Sequence, residues 1–218
     1  MMDPQAVHRY EQGMTIELYS WTTPNGRKPH ILLEELGLPF EVHAINIGKD
    51  EQKTPEFLAL NPNGRIPALV HRPEGGEPVS IFESGAILIY LAELSGRFLP
   101  SSGQARADVL GWLMFQMSAV GPMFGQLGWF RRTDPENTVA VNRYNTESLR
   151  ILGVLEGALA KAPFLAGEYS IADMATFPWV RGMTTYGGLD LTPFPHVTRW
   201  CEELETRPAV QKAMAWKP

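Results

Sequence analysis

Asn61-Pro62-Asn63-Gly64-Arg65-Ile66-Pro67-Ala68-Leu69-Val70 and, after a short turn, Val79-Ser80-Ile81-Phe82-Glu83-Ser84 are the stretch whose reading decides the fold. It spells turn, short strand, turn, short strand, helix start. Asn61 to Gly64 is made of turn-forming residues, and Ile66 to Val70 is an apolar run bounded on both sides, as a buried strand would be. Pro67 lies inside that run and brings no N–H to a strand ladder, so the segment is not an ordinary strand. Val79 to Phe82 gives a second strand, and Glu83-Ser84 stand where a long apolar helix, Gly85 to Leu94, begins. Backbone N–H groups at a helix start, backed by the positive end of the dipole, form an anion site to which a hydroxyl adds. The same Ser84 also reads as an ordinary helix cap.

Upstream, Thr15 to Ser20 alternates in polarity and predicts a strand, and Trp21 to Gly26 is a turn by composition. Arg27 to Gly37 reads as a helix that Gly37 stops. Pro29 fits a helix only within its first turn, which places the start near Gly26 to Lys28. Phe40 to Ile47 predicts a second strand. Thr54-Pro55-Glu56-Phe57 is a cap with proline at the first helical position, opening a short helix to Leu60. The first half is therefore β-α-β-α-β-β-α, over residues 14–96, after an extension at 1–13 that reads as flexible.

Downstream, residues 97–104 read as a linker and 105–218 as all helical. Ala105 to about Gln126 predicts one long helix that ends in the glycine-rich G-P-M-F-G-Q-L-G. Asp134-Pro135-Glu136 starts another towards Leu159. Ser170-Ile171-Ala172-Asp173 matches a reciprocal capping pattern with Asp in the usual Glu place, and Pro193 to Glu205 and Arg207 to Trp216 give two more helices.

Composition narrows the classes of function. Of 218 residues, 44% are hydrophobic and 20% charged, as in an ordinary globular protein. A formal charge of −5 with scattered cations gives no reason to expect a nucleic-acid partner. No apolar run approaches the roughly 20 residues that cross a bilayer, so no membrane span is expected. Met1 to Gly13 is polar and lacks the apolar core of a signal peptide. Cys201 is the only cysteine, which excludes a disulfide framework, a Cys-rich metal site and an internal C-x-x-C pair. A reducing, cytoplasmic location follows as an expectation. The five histidines, at 8, 30, 43, 71 and 196, show no metal-ligand spacing, and no metal is expected.

N-x-x-G-x-I-P-A-L-V followed by x-x-I-x-E-S-x-A-I-L-x-Y-L resembles the thioredoxin-like domain of the glutathione transferase superfamily. The fragment A-G-x-Y-S-I-A-D-M-A resembles the all-α C-terminal domain of the same superfamily. The resemblance implies that the Ile66–Pro67 peptide is cis and pairs through its backbone with the cysteinyl part of glutathione. It implies that Glu83 and Ser84 receive the γ-glutamyl group. T-x-N-G at Thr23 to Gly26, with E-F-L-x-x-x-P-N after it, is most similar to the bacterial Nu class and the fungal Ure2-like proteins. There a threonine and an asparagine, matching Thr23 and Asn25, stand beside the thiol. Gln52 matches a residue at the glycine end of glutathione, Arg143 one that reaches its carboxylates, and Arg65 a basic position of the group.

Each of these residues has a plainer reading too. Thr23 caps a helix, Asn25 makes an Asx turn, and Gln52 and Arg143 are solvated side chains. Tyr19 is either the thiol's partner or a strand aromatic packed on helices. Phe124, Trp129 and Phe130, in an aromatic and methionine-rich region, line an apolar second-substrate pocket or belong to the core.

The enzyme implied turns the thiol of glutathione into the nucleophilic thiolate, which needs about 1.4 kcal/mol for each pKa unit of lowering. The resemblance points to a disulfide-bond reductase, with organic peroxide reduction as companion, using glutathione in reduced or disulfide form. Conjugation to electrophiles and a non-catalytic glutathione-binding role are the alternatives, and a homodimer is implied.

Overall fold

The alternation in Thr15–Ser20 becomes strand β1, whose Ile16, Leu18 and Ser20 share the buried face. It lies in a computed structural model that describes residues 15–218, so the expected extension at 1–13 falls outside the described residues. The chain forms two compact units. One runs to Leu91 and includes Lys212–Pro218, and the other is Ala92–Gln211.

In the first unit β1 is followed by α1 (Pro24–Leu36), β2 (Glu41–Ala44), α2 (Pro55–Leu60), β3 (Ala68–Arg72), β4 (Val79–Phe82) and α3 (Ser84–Ser95). This is the β-α-β-α-β-β-α order expected. The four-stranded sheet runs β2-β1-β3-β4, with β1 parallel to β2 and antiparallel to β3, and β3 antiparallel to β4. Ile16, Leu18 and Leu69 of the sheet, Ile31, Leu32 and Leu33 of α1 and Ile87 and Leu88 of α3 are all buried and make up the apolar interior of this unit.

Three boundaries differ from the sequence reading, each for a local reason. Strand β2 ends at Ala44 rather than Ile47, because the Asn46 side chain accepts the Gly48 N–H at 3.0 Å and turns the chain into short 3₁₀ turns. Strand β3 starts only after Pro67, which has no N–H for the ladder. Helix α1 starts at Pro24, with Thr23 Oγ1 accepting the Gly26 N–H at 3.2 Å, so Pro29 sits inside the helix and not in its first turn. A threonine cap with proline at the first helical position outweighs the missing donor at Pro29.

Gly26 is where this helix touches the strand it leaves. A β-carbon there would collide with the Trp21 carbonyl oxygen and Ser20 Oγ. Gly26→Ala should therefore cost about 2 kcal/mol by overpacking, read as a lower urea midpoint at unchanged slope. The terminal segment Lys212–Pro218 joins the same unit through the Arg27 guanidinium, which donates to the Ala213 carbonyl, and through Lys212 on Glu34 at 2.8 Å.

The second unit holds α4 (Gly103–Phe115), α5 (Gly121–Thr133), α6 (Thr138–Leu159), α7 (Ile171–Thr185) and α8 (Pro195–Glu205), with α9 (Pro208–Ala215) following. Helices α4 and α5 are one rod joined by a π-type turn, Gln116–Val120, so the glycine-rich stretch does not end the helix at Gln126. The widened turn admits Pro122. Packing accounts for Gly125, where a β-carbon would press on the Trp179 ring at 3.3 Å, while one at Gly128 would meet the Met183 sulfur at an ordinary contact distance of 3.5 Å. Helix α6 begins at Thr138, because Asn137 rather than Asp134 supplies the cap, its side chain accepting the Ala140 N–H at 3.2 Å. No helix among the described residues is long and apolar enough to cross a membrane.

Candidate functional site

The sheet register gathers the sequence motifs at one end of the first unit. Tyr19 pairs with Ala68, and Ala68 pairs with Phe82. The next residues outward are thus Ser20, leading into the Thr23 turn, Pro67, and Glu83. The Ile66–Pro67 peptide is cis, as the resemblance implies.

The turn before it is held by Asn61, which is 1% exposed. Its Oδ1 accepts the Asn63 N–H at 2.9 Å, and its Nδ2 donates to the Arg65 carbonyl at 2.6 Å. Gly64 takes φ 60, a conformation that glycine adopts without strain. A β-carbon on Gly64 would come within 3.2 Å of the Gln52 carbonyl, so the segment carrying Gln52 lies directly against this turn. Gln52 is 6% exposed, and its Nε2 donates to Asp50 Oδ1 at 3.3 Å. Its Oε1 is buried without a hydrogen-bond partner. A buried acceptor of that kind costs free energy until a donor arrives, which is the state expected of a ligand-binding amide. Arg65 is exposed beside it.

Glu83 has φ 71, rare for a residue with a side chain, and is exposed. Such strain concentrates at functional sites. Ser84 is buried and is the first residue of α3 rather than its cap, the Glu83 carbonyl accepting the Ile87 N–H at 3.0 Å. Lys28 of α1 is also buried, and its Nζ donates to Ser84 Oγ at 3.3 Å. Burial pulls the Lys28 ammonium down to about 7, against a smaller upward pull from Glu83. Sequence reading missed Lys28. The available signal was its place on the apolar stripe of α1, one turn before Ile31 and Leu32.

Thr23 and Asn25 are half-buried at the start of α1. With Thr23 Oγ1 accepting from Gly26, its own hydroxyl proton points elsewhere, so capping and donation are compatible roles. Tyr19 lies on the opposite strand face from Ser20. Its hydroxyl donates to Glu17 Oε2 at 2.9 Å, its ring stacks on His43 at 4.6 Å, and burial followed by Glu17 pushes the phenol up to about 12.

The remaining candidates belong to the helical unit. Phe124 is 0% exposed, so it is a core side chain and not part of an open pocket, a correction that burial imposes. Trp129 is exposed, edge-on to Phe130 at 4.8 Å, and Phe130 stacks on Tyr144 at 5.6 Å. Arg143 is exposed on α6. Cys201 is buried in α8, and burial pushes its thiol up to about 12, far from a reactive thiolate.

Comparison with known proteins agrees with this geometry. Residues 14–93 match the family described as glutathione S-transferase, N-terminal domain, and residues 138–203 match glutathione S-transferase, C-terminal domain. The chain is 45% identical to the disulfide-bond oxidoreductase YfcG of Escherichia coli strain K12, over 91% of this chain and 94% of that one. It is similar to a glutathione transferase family member of Pseudomonas fluorescens solved with two glutathiones bound, with TM-score 0.86 and 44% identity over 91% of this chain and 92% of the other. It is also similar to a Pseudomonas putida glutathione transferase with one glutathione disulfide bound per subunit, with TM-score 0.87 and 44% identity over 94% and 93%. A cis-proline loop, a Glu-Ser helix start and a matching helical half thus identify the chain as a member of the glutathione S-transferase superfamily.

Proposed function

We propose that the protein is a glutathione-dependent disulfide-bond reductase. The observation that carries this reading is the convergence of the cis Ile66–Pro67 peptide, Glu83-Ser84 and the Thr23–Asn25 helix start at one sheet end, in a chain whose one cysteine is buried elsewhere. Glutathione is then the source of the thiolate. Its sulfur attacks one sulfur of the substrate disulfide, the second sulfur leaves as a thiol, and a further glutathione releases the other thiol and glutathione disulfide. Two glutathiones are oxidised for each disulfide reduced.

In this reading the Ile66 backbone aligns the cysteinyl part, Glu83 and Ser84 hold the γ-glutamyl end, and Gln52, whose buried Oε1 lacks a donor, accepts from the glycyl amide N–H of glutathione. Thr23 and Asn25 donate to the thiolate at the positive end of α1. Tyr19 is set aside because its proton is committed to Glu17. The reading extends to organic peroxide reduction by the same thiolate and to a cytoplasmic homodimer, as the family resemblance implies.

The test is a steady-state assay with glutathione and 2-hydroxyethyl disulfide beside 1-chloro-2,4-dinitrobenzene. Disulfide turnover well above conjugation is expected. Conjugation alone would overturn the reductase reading, and glutathione binding without either reaction would make the protein a non-catalytic binder. Ser84→Ala should weaken glutathione binding about tenfold in calorimetry, the loss of one hydrogen bond to a charged group.

A further inference from the structure

Helix α3 presents its N-terminus, the positive end of its dipole, at Ser84. By the dipole rule a cation is misplaced there. Yet the Lys28 ammonium is directed at this hydroxyl from α1, at 3.3 Å, with the side chain only 1% exposed. A buried Lys is among the costliest choices for a core-facing helical position, where methionine would pack as well without a charge to desolvate. The Lys28 Nζ and the N-terminal end of α3, from separate elements, thus converge on one buried hydroxyl, an arrangement suited to holding an anion.

We propose that Lys28 is a positioning residue for the carboxylate of the ligand's α-amino-acid end, acting through Ser84, and that it takes up a proton when that carboxylate docks. This deepens the glutathione reading and rests on it. Glu83, exposed at the β4–α3 junction with its strained backbone, supplies the opposite charge for the ligand's ammonium. The pair Glu83 and Lys28–Ser84 then reads both charges of a zwitterionic headgroup.

The charged neighbours favour this assignment. Glu83 is the group whose field reaches Lys28. On α1 itself, Arg27 donates to the Ala213 carbonyl and lies over the Trp216 ring, and Glu34 meets His30 and Lys212, so these groups serve the terminal segment. Burial lowers the ligand-free Lys28 to about 7, so it is only partly charged at neutral pH, and an arriving carboxylate favours the charged form and draws in a proton. Linkage makes binding tighter at lower pH. It also separates Lys28 from the thiolate chemistry, which gains as pH rises.

The experiment is isothermal titration calorimetry with S-methylglutathione, whose thioether removes the thiol's own titration. Wild type, Lys28→Met and Lys28→Arg are compared at pH 6 and pH 8, in phosphate and in Tris. For the wild type the binding enthalpy should depend on the buffer, reporting proton uptake, and affinity should fall about tenfold from pH 6 to pH 8, the tenfold being one unit of linked pKa shift. Lys28→Met should bind at least tenfold more weakly at pH 6, with no proton uptake and a flat pH profile. Its ligand-free melting temperature should equal or exceed that of the wild type, because a merely structural lysine would lower it. Lys28→Arg should keep the pH 6 affinity and lose the pH dependence. Wild-type binding that is flat from pH 6 to pH 8 with no proton uptake would overturn the proposal without recourse to any variant. So would Lys28→Met with unchanged affinity and uptake. Failure of the wild type to bind at either pH would instead sink the glutathione reading on which it stands.

Discussion

Asn25→Ala should lower kcat for glutathione-dependent disulfide reduction on the order of 10- to 100-fold, with the KM for glutathione changed little. The magnitude is that of a hydrogen bond to a charged group, about 1.5–3 kcal/mol. The selectivity for kcat follows because, in the proposed site, the amide would serve the thiolate, while the rest of the tripeptide would be held at Gln52, Ile66 and Glu83-Ser84. The sign with pH is fixed by the same argument. Losing a donor disfavours the thiolate, so the apparent pKa of the bound thiol rises by about one to two units. The rate deficit should be largest near pH 6.5 and shrink towards pH 9, where the thiol ionises without help. Equal losses in kcat and in affinity, independent of pH, would show that Asn25 only shapes the first turn of α1.

Thr23 makes a less clean probe, because its oxygen also caps α1. Thr23→Ala removes both functions and should lower stability by about 1 kcal/mol on top of any loss of rate. Thr23→Ser keeps both and should be nearly silent. The contrast shows why sequence alone left two readings open at this turn. A cap oxygen and a thiolate donor are the same atom group in the same place, and the structure makes them compatible rather than exclusive.

Elsewhere legibility depended on how local the determining interactions are. The 61–84 stretch was readable because its turn, proline and helix start act within a few residues. Thr54, and Ser170 with Asp173, were readable as caps for the same reason, and both form. The start of α1 was misplaced because Pro29 breaks a local rule that the rest of the helix overrides. The glycine-rich 121–128 run looked like a stop because the Trp179 ring that presses on Gly125 lies on α7, far along the chain. Lys28 was invisible for a similar reason. Its partner in the fold, Ser84, lies 56 residues away, and a cation in a helix reads first as a solvated side chain. Phe124 failed in the opposite direction: an aromatic in an apolar stripe suits a pocket and a core equally well, and burial assigns it to the core.

Asp173→Ala should destabilise the helical unit by about 4 kcal/mol, enough to reduce folded yield at 37 °C. Asp173 is 0% exposed and collects donors from three parts of the chain. Its Oδ2 accepts the Ser170 N–H at 3.0 Å, and its Oδ1 accepts the Leu165 N–H and the Trp200 indole N–H, each at 3.0 Å. Alanine would leave those buried donors unsatisfied and break the reciprocal cap of α7 in one step. The carboxylate itself is held at a cost. Burial pushes Asp173 up to about 6, and the hydrogen bonds from Leu165, Trp200 and Ser170 recover only part of that. A carboxyl whose folded pKa exceeds its unfolded value makes the native state the tighter proton binder. The penalty is therefore fully present above pH 6, fades as pH falls, and is gone below about pH 4. Asp173→Asn separates the two effects. Its Oδ1 can still accept from Leu165 and Trp200, while its NH₂ faces the Ser170 N–H and loses that cap bond. Urea unfolding at pH 7.5 and pH 5 should show the alanine variant much weaker at both. The asparagine variant should fall close to the wild type at pH 7.5, where it escapes the desolvated charge, and further behind at pH 5, where the wild type is protonated. An alanine variant as stable as the wild type would mean that the convergence on Asp173 does not hold α7 in place.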